Sequence, residues 1–72
     1  MLSGEAVARV RSAIATLPAP QRRALVLAAL YGRTAAEVSE AESIPLGTAK
    51  TRIRTGLSRL RASLNPEGAG RD

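Results

Sequence analysis

The stretch from Pro45 to Leu64 contains no further proline that would interrupt a helix, and it limits the fold more than any other feature. Pro45 suits the first turn of a helix, where its missing amide is not needed. When each residue advances by about 100° around a helix axis, the apolar residues of this stretch form one stripe. The stripe consists of Leu46, Ala49, Ile53, Gly56, Leu57, Leu60 and Leu64. The pattern predicts a helix of about 20 residues that packs one face against the rest of the chain.

Two shorter helices are predicted in the first half of the chain. Apolar residues at intervals of three and four indicate a first helix from about Gly4 to Thr16, and the segment Leu17-Pro18-Ala19-Pro20 interrupts it. A second helix follows, to about Leu30. Its apolar residues surround most of its circumference, which predicts that it is the central, buried helix.

A third, short helix is predicted from Ala35 to about Glu42. Gly32 suits the left-handed residue that ends the preceding helix. Thr34 and Glu37 have the spacing of a capping box, in which each side chain accepts a hydrogen bond from the other residue's amide.

These segments predict an all-α fold, because no strand pattern occurs anywhere. We expect one small four-helix domain over residues 1–64, with a C-terminal helix-turn-helix at about residues 34–64. Residues 65–72 (NPEGAGRD) are expected to form a flexible tail.

Composition narrows the function. The 72 residues include no His and no Cys, which excludes zinc fingers, thiolate catalysis and His-based acid–base catalysis. We therefore expect no enzyme activity, no cofactor, no metal and no small-molecule substrate; the three glutamates of the third helix are a weak metal signal. No apolar run is long enough for a membrane span and no secretory signal is evident, so a cytoplasmic protein without membrane insertion is expected.

Charge is concentrated in the predicted fourth helix. The chain has 11 Lys and Arg against 6 Asp and Glu, and residues 45–64 alone carry the whole net charge of +5. On the helical projection, one flank of the apolar stripe carries Lys50, Arg54 and Arg61, and the other carries Arg52 and Arg59. Between these rows lie Thr51, Thr55 and Ser58.

This arrangement suits a helix in the major groove of DNA. Cations on two flanks can reach both phosphate backbones, while short hydroxyl side chains allow a close approach to base edges. The start of the same helix, at Gly47 and Thr48, offers backbone amides and a hydroxyl to a phosphate oxygen, and Thr34 offers a second such helix start. Arg22 and Arg23, by contrast, are expected to be solvated.

Residues 17–64 resemble region 4 of bacterial RNA polymerase sigma factors, especially the extracytoplasmic-function group. The resemblance rests on the order and spacing of Leu17-Pro18, Gln21-Arg22, Gly32, Glu37-Val38, Ile44-Pro45, Gly47-Thr48, Lys50, Arg52-Ile53 and Arg59-Leu60.

The resemblance implies that the third and fourth helices bind the promoter −35 element in double-stranded DNA. Lys50, Thr51 and either Arg54 or Thr55 would then reach base edges. Phosphates would be held by Arg52, Thr34 and Gly47. The implied protein partners are the β flap of the RNA polymerase core and an anti-sigma factor.

Several positions depart from the family pattern. Ser43 stands where the turn commonly has glycine. Glu42 stands where the family usually has a buried leucine and Arg33 where it often has another apolar residue, so a looser or rearranged core is expected around the third helix. Gly56 lies in mid-helix, which a close helix contact would explain. Arg54 precedes Thr55, whereas the family commonly has its basic residue at the latter position.

Two alternatives stay open from the sequence. The chain has features of the helix-turn-helix output domain of response-regulator transcription factors. It could also act mainly as a protein-interaction module. An anti-sigma factor would then cover the cationic face of the fourth helix, or the second helix and Tyr31 would contact polymerase.

Overall fold

A computed structural model describes residues 3–65. Four helices occur in this range and no strand does: α1 (Gly4–Ala15), α2 (Ala19–Ala29), α3 (Ala35–Glu42) and α4 (Leu46–Leu64). The predicted all-α fold with a C-terminal helix-turn-helix, formed by α3 and α4, is confirmed. Asn65 is the C-cap of α4, and the rest of the predicted tail lies outside the described residues.

The central helix is α4, so the prediction that α2 is central is wrong. α4 packs against all three other helices along its length, and its contact with α2 is the largest in the structure described. α2 has Ala24 and Leu25 buried against its neighbours, but its last turn lies at the surface, where Leu30 is 67% exposed.

Two small clusters of buried residues form the core. One joins α1 to α2 through Ile14, Leu17 and Leu25, with Leu60 of α4 packed against it. The other joins α2, α3 and α4 through Ala24, Val38 and Ala49. The second cluster therefore holds both helices of the helix-turn-helix on α2.

The buried stripe of α4 is narrower than predicted. Ala49 and Gly56 are buried, and Ile53, Leu60 and Leu64 are partly buried. Leu46 and Leu57 are each 44% exposed, contrary to the prediction. They lie about 40° and 60° around the helix from the centre of the buried stripe, towards one edge, where no neighbouring helix covers them fully.

Gly56 allows α2 and α4 to approach each other closely. A Cβ atom at this position would lie 3.3 Å from the carbonyl oxygen of Gln21 and 3.5 Å from the Cβ of Leu25. The close helix contact that the sequence suggested at this mid-helix glycine is therefore present.

Helix starts and turns follow the predicted signals. The side chain of Ser3 accepts a hydrogen bond from the amide of Ala6 at the start of α1. Gly32 has φ of 64°, and Ser43, between α3 and α4, has φ of 54°. The turn of the helix-turn-helix therefore requires the left-handed conformation, in a residue that carries a Cβ.

Replacing Ser43 by glycine should stabilise the protein. The left-handed conformation costs a non-glycine residue about 1 kcal/mol, and the gain is partly offset by the larger unfolded-state entropy of glycine. We expect a net increase of about 0.5 kcal/mol in the free energy of unfolding, measured by urea denaturation. The control is Ser12→Gly at an exposed helical position of α1, which should lose about 0.5 kcal/mol; a loss at both positions would contradict the prediction.

Candidate nucleic-acid interface

The exposed face of α4 is cationic and polar. Lys50, Arg54, Arg59 and Arg61 are exposed, as are the hydroxyl residues Thr51 and Ser58. Arg52 and Thr55 are half-buried beside the neighbouring helices. The structure thus brings the predicted cations and hydroxyl groups onto one continuous surface, which we call the α4 face.

No described acid neutralises the α4 face. The sequence of α4 contains no Asp or Glu. Among residues 3–65, Arg23 of α2 forms an ion pair with Glu42 of α3, and no residue of α4 takes part in an ion pair. The cations of α4 are therefore available to a polyanion.

The start of α4 is open to an anion. Its N-cap, Pro45, makes no side-chain hydrogen bond, and the first turn holds no acidic residue. Gly47 is exposed, and a Cβ built on it would meet no atom within 4 Å, so a ligand could approach the backbone there. Thr48 is half-buried beside it. Amides at a helix start that lack side-chain partners favour a phosphate oxygen.

The start of α3 is different, because a capping box already occupies it. The amide of Thr34 donates to Oε1 of Glu37 at 2.8 Å, and the amide of Glu37 donates to Oγ1 of Thr34 at 3.1 Å. The hydrogen bond from the Thr34 amide is the largest cause that lowers the pKa of Glu37, with smaller contributions from the Thr34 side chain and the charge of Arg33. The side chain of Thr34 is therefore also engaged with Glu37, although the residue itself is exposed.

The turn between α3 and α4 is held by Ser39. Its hydroxyl donates to the carbonyl of Ile44, and its carbonyl accepts the amide of Ile44 at 3.0 Å. Both polar backbone groups of Ile44 are therefore bound to one residue of α3. This arrangement fixes the chain path that leads from α3 into the α4 face.

Arg22 and Arg23 are not simply solvated, contrary to expectation. Arg22 donates to the carbonyls of Ala15 and Leu17, at 3.4 and 3.5 Å, at the end of α1. Arg23 donates to Oε1 of Glu42 at 2.7 Å. Neither contact could be predicted from the sequence, because each partner lies on another helix or in the connecting segment.

A second surface lies between α1 and α2 and was not predicted. It is a groove of about 350 Å³ lined by Val7, Val10, Arg11, Ile14, Val26 and Leu30. We call it the α1–α2 groove. Tyr31, which follows Leu30, is 66% exposed. Val7 is exposed, and Val10 and Val26 are only partly buried, so the small domain leaves this apolar strip partly uncovered.

Residues 3–65 contain no helix that is long and apolar enough to cross a membrane. No group of three or more potential metal-ligating side chains occurs in the same range.

Comparison with known proteins gives one match. A family model described as sigma-70, region 4, matches residues 8–60, more than two thirds of the chain. No curated protein and no solved structure matches.

The capping box should make the stability of α3 depend on pH. The folded-state pKa of Glu37 is lowered from its ordinary value of 4.5, so its charged form is favoured by folding. This contribution is fully present above pH 4.5 and is lost as the pH falls through the lower folded-state pKa. We expect Glu37→Gln to unfold more easily than the unaltered chain at pH 7, with the difference vanishing in acid, where both side chains are neutral.

Urea denaturation at a series of pH values measures this dependence. The control is Glu40→Gln, which removes the charge of an exposed acid outside the capping box on the same helix. A difference between Glu37→Gln and the unaltered chain that stays constant with pH would contradict the assignment.

Proposed function

The chain belongs to the sigma-70 region 4 family, whose members are DNA-binding domains of sigma factors, and from this premise we propose that it binds the promoter −35 element with α4 in the major groove. The observation that carries the proposal is the α4 face. Its helix contains no acid, and its cations form no ion pair with the residues that the structure describes. The family match favours this function over a response-regulator output domain.

Base edges are read, in this proposal, by the outermost side chains of α4. Lys50, Thr51 and Arg54 are all exposed on the α4 face. Thr55 is half-buried, so of the two open candidates Arg54 is the better placed for a base edge. Lys and Arg commonly bind the O6 and N7 acceptors of guanine, which supports a base-reading role for these cations.

Phosphates are held around this centre. Gly47 and Thr48 offer the uncapped start of α4, and Arg52 and Arg59 lie on the flank opposite Lys50. Thr34 contributes at the edge of this set through its exposed side chain, because its amide is already bound to Glu37.

The partner proteins follow from the same premise. The family implies interaction with RNA polymerase, and we propose that the β flap binds in the α1–α2 groove. The groove offers an apolar strip with Arg11 at its edge, so it suits an apolar helix with a neighbouring acid. We propose further that the chain is of the extracytoplasmic-function type and acts in the cytoplasm. An anti-sigma factor would mask its α4 face.

Selection of bound sequences from a random duplex pool tests the DNA-binding function directly. One enriched motif is expected; retention of the pool without enrichment would contradict base reading and leave phosphate contact alone.

Variants of α4 should separate base contacts from phosphate contacts. Lys50→Ala and Arg54→Ala should each weaken binding to the selected duplex by about 1–3 kcal/mol, and binding to random duplex much less. Arg59→Ala is the matched control, and it should weaken both to a similar extent.

Salt dependence provides the second measurement. The slope of log affinity against log salt should be about −4 if four or five phosphates are neutralised, and Arg59→Ala should make it less steep by about 1. An equal loss on both duplexes for Arg54→Ala would assign that residue to the phosphates.

A change in the α1–α2 groove should affect polymerase and not DNA. Leu30→Gln places a polar group at a position that is 67% exposed, so folding should be retained. We expect binding to a fragment of the β subunit that contains the flap to weaken about tenfold, roughly the loss of one exposed apolar contact. Ala8→Gln, at an exposed position outside the groove on α1, is the control. Equal binding by both variants would place the flap elsewhere.

A further inference from the structure

The ion pair between Arg23 and Glu42 joins two helices that are far apart in sequence. Nε of Arg23 lies 2.7 Å from Oε1 of Glu42, and the two residues are 19 positions apart. The side chain of Glu42 is only 15% exposed, whereas that of Arg23 is 56% exposed. A carboxylate that is largely withdrawn from water needs a charged partner, and Arg23 supplies it.

The pair gives α3 a second point of attachment to α2. The first is Val38, which is fully buried against Ala24 of α2 and Ala49 of α4. Apolar contact with small residues is non-directional. This contact alone therefore leaves α3 free to rotate about Val38 relative to α2 and α4. Glu42 lies four residues after Val38, on the same side of α3 and one turn further along. Its directional hydrogen bond fixes the rotation that Val38 leaves open.

The position of this second attachment is important for the helix-turn-helix. Glu42 is the last residue of α3, and Ser43 follows it in the left-handed conformation. The orientation of α3 in turn determines where Thr34, at its other end, lies relative to the α4 face. Resting on the proposed function, we propose that Arg23 and Glu42 are positioning residues that hold α3 at the angle at which both helices contact one duplex.

Two variants with the same charge change test this role. Glu42→Gln and Glu40→Gln each raise the net charge from +5 to +6, and both residues lie on α3. If electrostatics alone were involved, both variants would bind every duplex more tightly by a similar factor. Positioning predicts that only Glu42→Gln lowers the ratio of affinities for selected and random duplex, by about two- to fivefold.

The exchanged pair provides the rescue. Arg23→Glu combined with Glu42→Arg restores both the net charge and the ion pair, and it should return the affinity ratio to within about twofold of the unaltered chain. Circular dichroism at the binding temperature identifies the variants that are folded. If the exchanged pair does not fold, the comparison of Glu42→Gln with Glu40→Gln decides alone.

The outcomes separate the two proposals. An unaltered chain without sequence preference would overturn the proposed DNA reading, and the positioning role with it. The positioning role alone would be overturned if Glu42→Gln and Glu40→Gln kept the same ratio of affinities for selected and random duplex. It would also be overturned if the exchanged pair folded but did not recover that ratio.

Discussion

The close approach of α2 and α4 is the constraint on which the rest of the structure depends. The carbonyl oxygen of Gln21 lies 3.3 Å from the place that a Cβ on Gly56 would occupy. Ala24 and Ala49 extend this contact of small residues towards α3. Small side chains at a helix contact reduce the distance between the helix axes. α4 can therefore pack closely among three helices that are each much shorter than itself. Its opposite side carries the cationic and hydroxyl side chains of the α4 face.

A core of small side chains has an energetic consequence. Hydrophobic stabilisation scales with the apolar area removed from water, so alanines contribute little each. Specific polar contacts must then fix what apolar burial leaves loose. Ser39 binds both backbone groups of Ile44, Thr34 and Glu37 cap α3, and Arg22 binds carbonyls at the end of α1. The first two of these contacts lie in the helix-turn-helix, where α3 has only Val38 fully buried.

The local features of this fold could be predicted from sequence, and the pairings between helices could not. Helical periodicity and capping signals are properties of one segment, which is why the four helices, the capping box of Thr34 and the left-handed Gly32 were correct. Burial depends on which neighbour covers a residue. The sequence therefore misplaced Leu46 and Leu57 in the core, made α2 the central helix and missed the partner of Glu42. Of the α4 face, periodicity predicted the exposed cations, while the half-burial of Arg52 and Thr55 required the neighbouring helices.

The acids of α3 show how a cationic face can remain effective beside negative charge. Glu37, Glu40 and Glu42 lie on the helix next to α4, and free carboxylates there would weaken the attraction of α4 for phosphates. The carboxylate of Glu37 accepts the backbone amide of Thr34 at the start of α3, and Glu42 is paired with Arg23, so two of the three charges are compensated locally. Each compensated charge also stabilises α3 itself. The same contacts that hold the helix-turn-helix together therefore preserve the positive potential of the surface that it presents.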